Sequence, residues 1–210
     1  MTTQNEAPEI KPTIEYEIWQ QLLRASVDKH HEWRSPVLVT NGLVTNGLVE
    51  SGIVTNEPEA NGQDNWPDAR TVILRKVDVA TKELVFYTDS RSPKVTQLCA
   101  NPNAMLVFWS MRLNWQLRIK ITITVKTDGE LVKNTWDKVK QSPSAVDYLS
   151  LQAPGEILVN SHNLPDQAHQ TKAHFALLIA QVIKIDWLAL NRNGHQRANI
   201  NADGFQSLVP

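Results

Sequence analysis

The 210-residue chain predicts an α+β fold: an antiparallel, Greek-key-like β-barrel, closed or nearly closed, with peripheral helices. Three observations carry this expectation. Short apolar runs with strand character recur along the chain, and Ile121–Val125 (ITITV) alternates cleanly. Short polar connections such as Met111–Asn114 and Asn191–Gly194 join such runs and suit antiparallel pairing. Helical spacing is confined to the start and to segments between strands, as in Ile14, Ile18, Leu22, Leu23 and Val27.

Composition bounds the function. A hydrophobic content of 41% supports a real core, and a formal net charge of −1 argues against nucleic-acid binding through bulk charge. No run of 18 apolar residues is present, so no membrane partner is expected. The start, MTTQNEAPEIKP, lacks the basic and apolar regions of a signal peptide, and a lone Cys99 suits a reducing cytosol, so a cytoplasmic protein is expected. Residues 1–12 read as a disordered N-terminus and 13–210 as a single domain.

In order, Thr13 to about Glu32 is an amphipathic helix with Thr13 as N-cap, and Trp19 and Trp33 are packing residues. Pro36–Thr40 is a first strand. Residues 41–66 carry TNGLV twice in tandem and read as an inserted, mobile hairpin loop, because Asn-Gly suits a tight turn. Arg70–Lys76 and Glu83–Thr88 are strands. Ser92-Pro93 opens a short helix with Val95, Leu98 and Cys99 inward, and Asn101-Pro102 closes it. Ala104–Ser110 and Trp115–Lys126 are strands, Glu130–Lys140 and Ser144–Leu151 helices. His174–Leu190 is a long strand, ambiguous in its early part, with Ile183, Ile185 and Trp187 on one face. His195–Ile200 is the return strand, and Gly204–Pro210 a tail. His162 and His169 lack metal-site spacing, so no metal is expected.

The chemistry-bearing residues gather at strand ends. Arg70, Arg75, Arg91, Ser92 and Lys94 surround the start of the second helix, where free backbone N–H groups and the helix dipole favour an anion. Arg118 and Arg197 add cations that remain charged at any working pH. Gln116 and Gln152 both donate and accept, which suits the edge of a heterocycle, while Tyr87 and Trp187 offer ring contacts. No GxGxxG, GxxxxGK[ST] or GxSxG sequence is present.

Together these pieces resemble the pyridoxamine 5′-phosphate oxidase-like family of FMN-binding split-barrel flavoproteins. The resemblance rests on R-x-V-x-L-R at Arg70–Arg75, F-Y-T at Phe86–Thr88, S-x-K-x-x-Q-L at Ser92–Leu98 and N-P at Asn101–Pro102. It continues with Gln116, S-x-Q at Ser150–Gln152, W-x9-R from Trp187 to Arg197, H-x-R at His195–Arg197, and a terminal L-x-P. The resemblance implies a homodimer holding FMN at its interface. Arg70, Ser92 and Lys94 would hold the phosphate. Val72, Ile73, Leu74, Tyr87 and Thr88 would line the flavin and ribityl chain. Arg75, Arg91, Gln116, Gln152, Trp187 and Arg197 would complete the site, some from the second subunit, and His195 is the candidate proton carrier.

The sequence also departs from the family. Pro93 stands where the family motif has an Arg, with Arg91 as a candidate substitute, and Arg75 stands where relatives acting on pyridoxamine phosphate carry Lys. The family's substrate-phosphate trio of Tyr, Arg and Ser falls loosely on Lys138, Ser142 and Val146, and its R-L-H becomes Asn193-Gly194-His195. The expectation is an FMN-dependent oxidoreductase for an unidentified small-molecule substrate rather than a true pyridoxamine-phosphate oxidase. The alternative is a split barrel that binds FMN, or haem, without turnover.

Overall fold

The computed structural model describes residues 13–42, 66–157 and 173–210. The sequence readings for residues 1–12, for the TNGLV repeat and for His162 and His169 lie outside the described residues. Three α-helices and nine strands are described: α1 (Ile14–Val27), β1 (Val37–Thr40), β2 (Asp68–Thr71), β3 (Leu74–Asp78), β4 (Glu83–Asp89), α2 (Pro93–Ala100), β5 (Asn103–Ser110), β6 (Trp115–Lys126), α3 (Glu130–Val139), β7 (Phe175–Ala189), β8 (Gln196–Asn201) and β9 (Gly204–Leu208). Short 3-10 helices cover Glu32–Arg34 and Pro143–Tyr148.

All strand pairings are antiparallel, in the order β2-β1-β5-β6-β7-β4-β3, with β8 and β9 branching from β7. The two ends of this path, β2 and β3, are consecutive in the chain, so the sheet turns back on itself through Val72 and Ile73. The Val72 N–H donates to Pro36 O at 3.0 Å there. The enclosed core includes Leu38, Leu74, Phe86, Leu106, Phe108, Leu117, Ile119 and Leu178, all essentially solvent-free. Trp33 seals one end against Phe108 and Trp115, and α1 contributes Ile18, Trp19, Leu22 and Ala25. Trp19 and Trp33 are thus packing residues, as expected.

Strand β7 organises the sheet. β6 runs along one of its edges, while β4 takes the first half of the other edge and β8 the second half. Its first half is buried on both faces. Leu178 and Ala180 enter the barrel, while Phe175 and Leu177 form an outer cluster under α3 with Val132, Val139 and Tyr148. A continuous apolar run follows from two covered faces, which is why its periodicity did not separate strand from helix. At Ile183 a bulge breaks the ladder: Lys120 pairs Lys184 while Ile121 pairs Val182. One extra residue inverts the alternation. Leu178, Ala180 and Val182 point inward before the bulge, and Ile185, Trp187 and Ala189 after it. Ile183 is therefore 52% exposed rather than on the core face with Ile185 and Trp187.

Other corrections are local. α1 stops at Val27, which is exposed, because the Asp28 N–H closes onto Arg24 O and the chain leaves the helix. Arg70–Lys76 is two strands, since Val72 and Ile73 carry the corner. Ser144–Leu151 is a 3-10 helix over Pro143–Tyr148. The return strand begins at Gln196, and the expected tail is a strand, β9, paired with β8. Cys99 is exposed, because Val95 and Leu98 alone define the buried edge of α2.

The Glu32 carboxylate ties the 3-10 helix to the β5–β6 turn, accepting from Ser110 Oγ, from Met111 N–H at 3.1 Å and from Arg112 N–H at 3.4 Å. These donors, Ser110 foremost, hold its carboxyl below the ordinary value. A depressed folded-state pKa contributes stability that is full above the ordinary carboxylate range and is lost as pH falls through the depressed value. Glu32→Gln should therefore flatten the acid limb of a denaturant-measured stability–pH profile, leaving the neutral-to-alkaline shape unchanged. Phe108→Ala, at a fully packed site, should cost about 3–5 kcal/mol in the same assay.

Candidate functional site

The end of β4 and the start of α2 build a polar niche. Ser92 is the N-cap of α2 and Pro93 its first residue, as the sequence indicates, but the Ser92 hydroxyl makes no capping bond to the helix. Instead it lies 3.1 Å from Thr88 Oγ1, and Lys94 Nζ donates to both hydroxyls, at 3.1 and 3.2 Å. Thr88 and Ser92 are buried. Burial, then the nearby Arg70 charge, lowers the Lys94 pKa, while Asp89 and Asp68 act in the opposite direction. Among the described residues Lys94 has no ion-pair partner. A half-buried ammonium held by hydroxyls alone is a cation still lacking its counter-charge.

Arg70 stands beside this niche in a separate network. It pairs with Asp68 and donates to Thr40 Oγ1 and, at 3.0 Å, to Gln97 Oε1. The Gln97 amide in turn donates to Asp68 at 3.0 Å. Arg70, Ser92 and Lys94 are therefore brought to one end of the barrel, as the sequence reading required, with Arg70 already engaged. Thr40, Asp68 and Asp89 were not legible as members of this region, because ordinary polar residues in β1, β2 and β4 carry no motif.

Arg91 is a correction. It does not replace a missing phosphate cation. Its guanidinium forks onto Asp89 at 2.7 and 3.1 Å and donates to the carbonyls of Ser150, Leu151 and Gln152 at 2.9–3.2 Å. Arg91 is thus a clasp that brings the S-x-Q segment to the mouth of the niche. The Gln152 side chain itself is exposed.

Val72 and Leu74 are buried and Ile73 half-buried, at the corner entering β3. Arg75 follows at a register shift between Leu74 and Lys76, a bulge that re-aims its side chain. Its guanidinium carbon lies 5.4 Å from the centre of the Tyr87 ring.

Gln116, Trp187, His195 and Arg197 lie elsewhere. Gln116 and Arg197 flank Leu188 from either side, whereas Thr88 pairs with Ala176. Residues 176 and 188 are twelve apart along β7, a rise of roughly 40 Å for a straight strand. In one chain, then, Arg197 and Lys94 face no common niche. Arg197 is also paired: its Nε and Nη2 meet Asp186 at 3.0 and 2.8 Å, and Arg118 binds the same carboxylate. Trp187 turns into the core, packed edge-on against Trp115 at 5.3 Å, instead of presenting a stacking face. His195 is exposed, and its Nδ1 accepts from the Asn191 N–H at 3.2 Å, which closes the hairpin.

Comparisons with known proteins agree with this geometry. The family model described as "Pyridoxamine 5'-phosphate oxidase, FMN-binding domain" matches residues 51–127. Over this segment the chain is similar to that FMN-binding domain. The matched segment holds Arg70, Arg75, Tyr87, Thr88, Ser92, Lys94 and Gln116; Gln152, Trp187, His195 and Arg197 lie beyond it. A repeat model, "GLTT repeat (6 copies)", matches residues 38–56. A pyridoxine/pyridoxamine 5′-phosphate oxidase of Thermosynechococcus vestitus is 46% identical over 59 residues, 28% of this chain and 27% of that protein. One from Nitrobacter hamburgensis is 36% identical over 80 residues, 36% of this chain and 37% of that protein. The chain thus matches about a third of the length of these curated relatives.

Among solved structures, a pyridoxamine 5′-phosphate oxidase-related, FMN-binding protein from Nostoc punctiforme superposes with TM-score 0.64 at 18% identity, covering 96% of this chain and all of that one. PhzG from Burkholderia lata, solved with tetrahydrophenazine-1-carboxylic acid, gives 0.65 at 15% identity, covering 100% and 98%. At these identities the likeness concerns the fold. It establishes an α+β architecture shared with these two proteins.

The Arg91 clasp has a direct consequence. Arg91→Ala should free the 150–156 segment, and amide hydrogen exchange there should speed up by about tenfold or more while β6 and β7 keep their protection.

Proposed function

We propose that the chain binds FMN and works as an FMN-dependent oxidoreductase on a small substrate, as a homodimer. The observation that carries this reading is the Lys94–Thr88–Ser92 niche: a desolvated cation, two buried hydroxyls and a helix start, with no carboxylate paired to the cation among the described residues. That donor set fits a phosphate monoester, because charge-assisted bonds to phosphate oxygens supply what the buried ammonium lacks. The match to an FMN-binding domain model over this segment supports the same ligand. When bound, FMN supplies the electron-transfer chemistry, and the protein binds, orients and excludes water.

Within this reading Lys94, Ser92 and Thr88 grip the phosphate, and Arg70 adds long-range positive charge. The corner Val72–Leu74 offers backbone at the rim, and Arg91 holds Gln152 in place. Gln116 and Arg197 reach the same flavin only from a second copy, since roughly 40 Å of strand separates the two groups within one chain. An outward sheet face bearing Trp109, 42% exposed, in the row of Gln116, Leu188 and Arg197 supports self-association. In such a dimer Asp186 fixes the direction of the Arg197 guanidinium. The competing reading, an FMN (or haem) holder without turnover, draws on the hairpin bond that occupies His195 Nδ1.

The protein should purify yellow and release FMN on denaturation, and bleaching by a reductant with reoxidation in air distinguishes turnover from storage. Lys94→Ala should weaken FMN binding by about 1.5–3 kcal/mol, roughly 10- to 100-fold in Kd by fluorescence titration. Unchanged affinity would remove the phosphate assignment. Sedimentation should give a dimer; a monomer that still binds FMN tightly would exclude Gln116 and Arg197 from the site.

A further inference from the structure

We infer that the cavity beside the β7 bulge binds an uncharged, fused-ring aromatic molecule carrying one N–H or O–H donor. This site stands independently of the flavin reading.

The cavity follows from how β7 shares one edge between two strands. β4 pairs with it as far as Gln181, and β8 takes over only at Ile185. Residues 182–184 have a ladder partner in neither strand. Glu15 and Trp19 of α1 line the space left beside them, which measures about 370 Å³. A dry cavity of about 150 Å³ takes benzene, so this one has room for two fused rings. It lies at the opposite end of β4 from the Lys94 niche: Lys82 precedes β4, whereas Thr88 and Asp89 end it.

The walls select an apolar body. Trp19, Val182, Ile185 and Ile200 are buried, and Ile183, exposed at the bulge, completes the lining. A ring seated among them would remove apolar surface from water on both sides.

The polar groups select the charge and the one hydrogen bond. Lys82 Nζ meets Glu15 Oε1 at 3.0 Å, and both residues line the cavity. The pair neutralises itself, so neither an anion nor a cation finds a free counter-charge there, and apolar walls disfavour both. Asn201 is engaged within its own turn. Its amide donates to Asp203 Oδ2 at 3.2 Å, and its Oδ1 accepts from the Asp203 N–H at 3.0 Å. Gln181 donates to the Thr81 and Lys82 carbonyls at 2.9 and 3.4 Å, which fixes the direction of its amide. Its Oε1 has no donor among the described residues, so the lining offers one acceptor to a ligand N–H or O–H.

The test uses the full-length protein and four probes: indole, its isostere benzothiophene, indole-3-acetate and tryptamine. Calorimetry near neutral pH should give indole a Kd of about 1 mM or tighter, with both charged probes at least about tenfold weaker. Gln181→Met removes the acceptor and should weaken indole roughly three- to tenfold while leaving benzothiophene unchanged. Ile183→Trp fills the space from an exposed position and should weaken both neutral probes at least about tenfold, with FMN content unchanged. Ile183→Glu places a charge on the wall instead; it should act alike, and it decides the matter where the tryptophan variant does not fold. Lys82→Met leaves Glu15 unpaired and should improve tryptamine roughly threefold; Glu15→Gln should do the same for indole-3-acetate. Several results overturn the site: no indole binding at about 1 mM, a charged probe held as tightly as indole, or indole indifferent to the Ile183 variants. A Gln181→Met variant that treats indole and benzothiophene alike also overturns it. So does indole displaced by FMN, which would put the probe in the flavin site. A protein that takes indole here and no FMN removes the flavin reading alone.

Discussion

One fifteen-residue strand constrains everything else in the molecule. β7 is the shared partner of β4, β6 and β8, and each neighbour reaches a different part of it. Antiparallel ladders fix register residue by residue, so whatever is attached to its first half is held far from whatever is attached to its second half. The Lys94–Thr88–Ser92 niche depends on β4 and hence on the first half. Gln116 and Arg197 depend on the second. The strand acts as a spacer between the two groups of residues, which is why the proposed reading needs a second copy to bring them together.

The charged groups divide by whether their partners are already in the chain. Arg91 and Arg197 are paired with Asp89 and Asp186, which fix the direction of each guanidinium. Lys94 and Arg75 are not satisfied by any carboxylate among the described residues. Burying a cation without a counter-ion costs stability, and such a cost persists where the counter-ion arrives with a ligand. Two unpaired cations on neighbouring stretches of β3 and α2, separated by β4, are therefore the chemical signature of this end of the barrel, more than the total number of basic residues.

Much of the architecture was legible because alternation is strict where one face alone is buried. β6 runs from Trp115 to Lys126 as read, since its inward residues Leu117, Ile119, Ile121 and Ile123 are spaced by two. Legibility failed where that condition fails. The first half of β7 is covered on both faces, so its pattern is continuous. β9 is almost wholly exposed and carries no apolar pattern at all. The Ile183 bulge is invisible because a parity change looks like ordinary alternation on either side. In the candidate site, Ser92 and Lys94 were readable from helix-start chemistry, but Arg91 was misjudged because its partner Asp89 sits two residues away and its carbonyl acceptors about sixty residues on.

The bulge at Ile183 also says something about how this chain tolerates change in length. It is exposed, it makes no ladder pair, and nearly any side chain would fit at that spot. Remove that one residue and Val182 and Lys184 become neighbours facing Ile121 and Lys120 in unbroken register, so that Leu178, Ala180, Val182, Ile185, Trp187 and Ala189 share one face by simple alternation. A position that no partner strand reads is thus a place where one residue can be lost with both halves of the strand still in phase, a consequence that follows from counting alone.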